Sequence, residues 1–283
     1  MRFFAVAIVF VLPSAAFAWG EDGHHITWLI AQEYLSPSAK AGIKELREGS
    51  AIKDREIPNW ADYIRSSAEY TRKYKNHPTW HYINIELKTK LEDVNPDKQM
   101  NDVIGGVEKF SKLVADLKAE KEARKEAFFF VTHFIGDLHQ PLHCCNREDD
   151  KGGNMQPVKS FRGKDEDKLN LHKVWDTNLV LAEMGDLKAD DFSKRLLAEI
   201  KVDERREWAK GNVRDWVWDS HVIGTKTVYF FTDKTELPPR DKPPVELTDD
   251  NYIAAKRPIV REQLKKAGVR MAKALNECFP EKP

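Results

Sequence analysis

Residues Lys121 to His143 read K-E-A-R-K-E-A-F-F-F-V-T-H-F-I-G-D-L-H-Q-P-L-H, and this stretch sets the class of fold. Lys121 to Leu138 is predicted as one long helix. Phe128, Phe129, Phe130 and Phe134 crowd its second half, a density that suits a central buried helix. His133 and Asp137 stand four residues apart, so on that helix they share a face. The same spacing recurs at His172 and Asp176 in N-L-H-K-V-W-D-T. Each pair aims an imidazole nitrogen and a carboxylate oxygen at one point, and a borderline cation such as zinc accepts that donor set. Two such pairs, with His143 beside the first, predict a polynuclear metal site and hydrolytic chemistry.

Working outward, the pattern stays helical. His24 to Leu35 is a first helix. Ser36-Pro37 is a cap followed by proline at the first helical position, and it opens a second helix ending near Gly49. Pro58 to Asp62 starts a third, and Gln99 to Leu117 is a longer one. The polar loop from Asn146 to Lys168 leaves room for a short hairpin. Helices are expected again at Leu171 to Glu183, Asp191 to Ile200 and Glu204 to Ser220. Thr235 to Pro244 reads as a proline-rich surface loop. Asp249 to Cys278 is expected as a helix pair broken near Pro258. The fold class is therefore mainly α, a single-domain bundle of helices with at most a short hairpin.

Residues 1–18 read as a secretory signal: Arg2, an apolar run from Phe3 to Leu12, and Ala16-Phe17-Ala18 as the small-x-small cleavage pattern. Cleavage would make Trp19 the new N-terminus, leaving residues 19–283 as the working domain, secreted or periplasmic. The apolar run is short for a permanent anchor, so no membrane anchor is expected. The chain carries 46 basic and 46 acidic residues. A non-specific nucleic-acid clamp is usually strongly basic, so any attraction for phosphate must come from bound metal or a local patch. Of the three cysteines, Cys278 could pair with Cys144 or Cys145 in one disulfide, or all three could be buried thiols.

Further donors lie outside the two pairs. Asp62 sits in N-W-A-D-Y-I-R, His81 in T-W-H-Y-I-N, and His24 shortly after Trp19. His24 or His81 alone would read as an ordinary core histidine. Beside the two i, i+4 pairs they extend the ligand supply to two or three zinc ions.

These segments together resemble the S1/P1 nucleases, a family of zinc-dependent, single-strand-preferring enzymes. The matching pieces, in order, are W-G-E-D-G-H from Trp19, W-A-D from Trp60, W-H-Y-I-N from Trp80, H-F-I-G-D-L-H-Q-P-L-H from His133, G-G-N from Gly152 and N-L-H-K-V-W-D from Asn170. The resemblance implies the multi-helix fold of that family and a three-zinc cluster. One zinc would be held by Asp62, His81, His133 and Asp137. A second would be held by His143, His172 and Asp176. The third would take His24, Asp137 and Trp19, the last through a free α-amino group and its carbonyl. Six charges from three Zn²⁺ against three aspartates leave a surplus of about three to attract a phosphodiester. Zinc lowers the pKa of bound water to about 7, which supplies a nucleophile for in-line attack on phosphorus and gives 5′-phosphate products. The implied substrates are RNA and single-stranded DNA, with 3′-mononucleotides left open, acted on by a monomer.

Around the cluster, Arg65 follows Asp62 by three residues and could grip phosphate oxygens; a surface salt bridge is its plainer role. With Asp62 and Asp137 it makes the expected catalytic set. Tyr82 matches a position where a ring stacks on a base, and Asn84 one where a polar group meets the base edge. Asparagine both donates and accepts where aspartate only accepts, which leaves base preference open. Asn154 could touch substrate, or G-G-N could serve only as a turn. His139, Lys151 and Lys173 read as structural or solvated, and Trp60, Trp80 and Trp175 as packing around the ligands. A zinc phospholipase C is the competing enzyme class, and a non-catalytic zinc protein the competing non-enzyme.

Overall fold

A computed structural model describes residues 19–75, 77–94 and 101–281. The expected signal segment, and Gln99 of the expected fourth helix, lie outside the described residues. α1 (Glu21–Tyr34) opens on two acidic residues, favourable at the positive end of a helix. α2 (Pro37–Arg47) starts as its sequence suggests: Ser36 Oγ accepts from the Ala39 N–H at 3.1 Å and Pro37 takes the first helical position. A 3-10 turn over Asp54–Asn59 then leads into the short helices α3 (Trp60–Tyr63) and α4 (Ala68–Lys73). α5 (Val103–Ala115) is capped by Asp102, whose carboxylate accepts from Ile104 and Gly105 at 2.9 and 3.1 Å. α6 (Lys121–Asp137) is the aromatic helix, and every residue from Glu126 to Asp137 is buried.

The hairpin for which the polar loop left room is formed by β1 (Val158–Phe161) and β2 (Lys164–Asp165). α7 (Leu171–Lys173) continues through a widened, π-type turn, Val174–Asn178, into α8 (Leu179–Met184). α9 (Ala189–Glu199), α10 (Val202–Trp208), α11 (Val213–Ile223), β3 (Val245–Leu247) and α12 (Ala254–Cys278) follow. β3 pairs in parallel with β1, giving the sheet order β2-β1-β3. The fold is mainly α with this one small sheet among the described residues.

Two expectations need correction. The helix expected over Glu204 to Ser220 is two, α10 and α11. Gly211 between them has φ +74°, and Asn212 caps the new helix by accepting from the Arg214 N–H at 2.9 Å. The expected break at Pro258 does not occur: α12 runs through it, preceded by a widened turn over Asp249–Ile253. Proline costs one helical hydrogen bond, but α12 buries Val260, Leu264, Ala267, Met271 and Leu275, a larger gain. Of the two alternatives for the cysteines, the structure has the thiols and not the disulfide. All three cysteines are free, buried thiols facing different carbonyls: Cys144 Sγ toward Leu138 (3.3 Å), Cys145 toward His221 (3.5 Å) and Cys278 toward Ser111 (3.5 Å).

Two apolar clusters share α1. Trp28 and Ala31 pack with Trp60, Trp80 and the phenylalanines of α6, while Ile26 and Ile30 pack with Trp19, Trp175 and the start of α12. The segments bearing Asp62, His81 and His133 belong to the first cluster, and those bearing Trp19, His172 and Asp176 to the second. No helix among the described residues is long and apolar enough to cross a membrane.

Candidate metal centre

Three groups of buried side chains converge where these segments meet: His24, His133 and Asp137; Asp62, His81 and His133; His143, His172 and Asp176. Within each group the donor atoms lie within 4.8 Å of one another. His133 Nε2 is 3.2 Å from Asp137 Oδ2 and 3.0 Å from His81 Nδ1. His81 Nδ1 is 2.9 Å from Asp137 Oδ2 and 3.7 Å from Asp62 Oδ1. His24 Nε2 reaches the other oxygen of Asp137 at 3.3 Å, so Asp137 faces two groups at once. Asp176 stands 3.3 Å from His172 Nε2 and 3.9 Å from His143 Nε2.

Local structure explains the convergence. His133 and Asp137 share a face of α6, as their spacing requires. His24 can lie against that helix because residue 136 is glycine; a Cβ there would stand 2.6 Å from His24 Nδ1. His172 stands two residues before the widened turn after α7 and Asp176 lies within it, a distortion common at functional sites. Gly152, at φ +62°, presents its carbonyl to His172 Nδ1 at 2.5 Å, and a side chain on it would strike the Leu142 carbonyl.

The ring orientations are set from behind. His133 Nδ1 donates to the Pro58 carbonyl (2.6 Å), His143 Nδ1 to that of His81 (2.7 Å), and His172 Nδ1 to that of Gly152. A carbonyl only accepts, so each Nδ1 carries a proton, and in the neutral ring Nε2 is the nitrogen with the free lone pair, aimed inward. Gln140 was not singled out from the sequence, yet its amide donates to Asp176 Oδ1 at 2.6 Å while its oxygen accepts from the Leu142 N–H. The only signal for it was its place inside H-Q-P-L-H.

A cation fits this donor set. His24 Nε2, Asp137 Oδ1, His143 Nε2 and His172 Nε2, the atoms these groups turn toward one another, are buried without a hydrogen-bond partner. So many orphaned polar atoms in one place would be costly, and metal coordination satisfies them. Burial lowers His24 and His81 and takes His143 to about 3 and His172 to about 4, so these rings are neutral at pH 7, as ligands must be. Burial pulls His133 the same way, but the Asp137 and Asp62 charges carry it up to about 9. Burial also drives Asp176 well up, only partly offset by Gln140. A cation taken up by His133 near neutral pH would have to displace its proton.

The S1/P1 nuclease family profile matches residues 19–280. The chain belongs to the S1/P1 nuclease family. It is 28% identical to Endonuclease 2 of Arabidopsis thaliana, over 99% of this chain and 96% of that protein. Against Endonuclease 4 of the same plant the identity is 26%, covering 99% and 96%. Against Nuclease P1 of Penicillium citrinum it is 27%, covering 92% and 97%. The protein is thus an enzyme of a nuclease family, and its buried histidine and aspartate groups are capable of holding metal.

Around this S1/P1 site the other expected residues fall as follows. Trp19 is fully buried, and the next residue, Gly20, donates to the Asp176 carbonyl at 2.8 Å, which sets Trp19 beside the second ligand turn. Arg65 Nη1 lies 3.3 Å from Asp62 Oδ1, and its charge reaches His172. Tyr82 is half-buried and Asn84 exposed on a segment whose Ile83 and Ile85 are buried. Asn154 donates to the Lys151 carbonyl at 2.9 Å within its turn. His139 faces away, between the Ile135 carbonyl and Arg270. Lys173 pairs with Glu166 at 2.8 Å.

Proposed function

We propose that this protein is an exported, trinuclear-zinc phosphodiesterase that hydrolyses RNA and single-stranded DNA to 5′-phosphate products and also accepts 3′-mononucleotides. The observation carrying this reading is the convergence of three buried histidine–aspartate groups, two of them sharing His133, in a chain of a nuclease family. The ligand sets follow the resemblance: Asp62, His81, His133 and Asp137 for one ion; His143, His172 and Asp176 for another; His24, Asp137 and the amino end of Trp19 for the last. Removal of residues 1–18 would free that amino group, and the family match begins at Trp19.

The ions, when bound, supply Lewis-acid charge and activate water. The chain supplies the rest. Asp137 holds two groups in fixed relation. Arg65, a fifth exposed (21%), presents a guanidinium whose fork matches the oxygens of a phosphoryl group as charge grows on them. The Tyr82 ring offers a stacking face worth roughly 1–3 kcal/mol per base. Stacking needs a base already out of a duplex, which is the physical reason for preferring single strands. Asn84 lies two residues along the same extended segment, where it can meet a base edge.

The test is metal analysis of protein beginning at Trp19, with turnover on single-stranded DNA, a 3′-mononucleotide and phosphatidylcholine, before and after chelation. Three zincs per chain and chelation-sensitive hydrolysis of the nucleic acid are expected. Zinc-free active protein, or turnover of the phospholipid alone, would overturn the reading.

A further inference from the structure

Glu126 is buried on α6, 3% exposed, seven residues before His133 and so two turns up the same face. It does not touch the metal-capable groups. It accepts instead from Lys73 Nζ at 2.6 Å and from the Tyr74 hydroxyl, both at the end of α4. α4 buries none of its own residues, so a helix of six residues with no apolar face of its own is held down by this carboxylate and by two rings. Those rings lead to the site. Tyr70 meets Trp60 edge-on at 5.2 Å, two residues before Asp62. Tyr74 meets Trp80 at 6.2 Å, one residue before His81, and Phe130 of α6 at 5.1 Å.

The strap containing α4 thus joins two functional segments, Asp62 with Arg65 at one end and His81 with Tyr82 at the other. We propose that Glu126 is a positioning residue: by fastening Lys73 and Tyr74 to α6, it fixes the strap and with it the reach of Arg65 and Tyr82 toward substrate. This rests on the nuclease reading for its catalytic half, while the fastening itself does not. A buried carboxylate with two donors is costly to leave unmet, which makes the contact persistent. A loosened strap would leave the ligands on α6 and α7 in place and blur the groups that contact substrate, and small misplacements of such groups are expensive in rate.

The experiment compares wild type with E126Q and Y74F, taking E122Q as a control one turn back, in the exposed first turn of α6, where the carboxylate pairs with Lys125. Trypsin cleavage after Arg72, Lys73 and Lys75 reads the strap directly, zinc content and Tm read the fold, and kcat and KM on single-stranded DNA read the site. E126Q is expected to be nicked there about tenfold faster and to lose about tenfold in kcat/KM, with zinc retained and with E122Q unchanged. Y74F, lacking one hydroxyl, should show the same changes at smaller size and decides the matter if E126Q does not fold. Wild-type nicking in the variants overturns the fastening. Faster nicking with unchanged kinetics overturns the positioning role. An inactive wild type with faster nicking in E126Q would sink the nuclease reading and leave the fastening standing.

Discussion

Asp137 is the side chain on which the centre turns, because its two oxygens face different groups: Oδ1 toward His24, Oδ2 toward His81 and His133. Asp137→Asn keeps the shape and removes the charge, leaving an amide nitrogen as a donor against a cation. Hydrolysis should fall at least a hundredfold, roughly the upper loss recorded for weakening a metal's supporting groups, with fewer than three zincs retained. Wild-type turnover in the purified variant would refute the assignment. Gln140 makes a subtler case. Without its amide, Asp176 loses the hydrogen bond that fixes Oδ1. Gln140→Ala should weaken zinc affinity by about 10–100-fold and, by leaving the Asp176 carboxylate and the Leu142 N–H without this partner, cost the chelated protein about 1–3 kcal/mol of stability. A zinc titration against a competing chelator measures the first effect and denaturation the second. The histidine–aspartate pairs were legible in the sequence because i, i+4 spacing is a local rule. Gln140 was not, since its partner lies 36 residues away and no spacing rule connects them.

At the level of elements, α1 must approach α6 closely enough for His24 to reach Asp137, and Gly136 permits this. Gly136→Ala sets two effects against each other. Alanine favours a helix interior by about 1 kcal/mol. Its Cβ would press on a buried ring 2.6 Å away, and overpacking costs typically 1–3 kcal/mol. The second should win: a lower urea midpoint and loss of the zinc that His24 would hold. A variant as stable as wild type with full zinc would show that the two helices can slide apart freely. The same scale shows why some boundaries were readable and others not. Ser36-Pro37 announced α2 through its own cap. The α10–α11 break rested on Gly211 at φ +74° and the Asn212 cap, signals present but overridden by the helical pattern around them. Pro258 misled in the opposite direction, because burial along α12 is a tertiary effect that no local signal carries. β3 was invisible for a related reason: its partner β1 lies far away in the chain, and three residues show no alternation to read.

Across the whole molecule the metal-free centre stores a dependence on pH. His24, His81, His139, His143 and His172 are buried and each is lowered from its usual 6.5, chiefly by burial, with His143 at about 3 and His172 at about 4. The unfolded chain takes up protons on these imidazoles as pH falls below 6.5, and the folded chain takes up fewer, His172 following only near 4 and His143 near 3. Stability is therefore full above 6.5 and is lost as pH falls toward 4. His133 runs the other way: raised to about 9, its contribution is complete below 6.5 and changes nothing between 6.5 and 5. Asp176 and Asp102, both raised by burial and Asp102 to about 6, favour the folded state as pH falls and offset part of this loss. The chelated protein should thus lose a few kcal/mol between pH 7 and 5, read as a lower urea midpoint at unchanged slope. The proposed zinc would add a second layer, since its ligands must shed protons to bind and a ligand that binds only the folded state stabilises by mass action. The zinc-loaded protein should sit above the chelated one at pH 7, and the gap should close on acidification. A chelated protein equally stable at pH 5 and 7 would mean that these imidazoles are wet and charged, and a centre of that kind would not hold three cations in fixed relation.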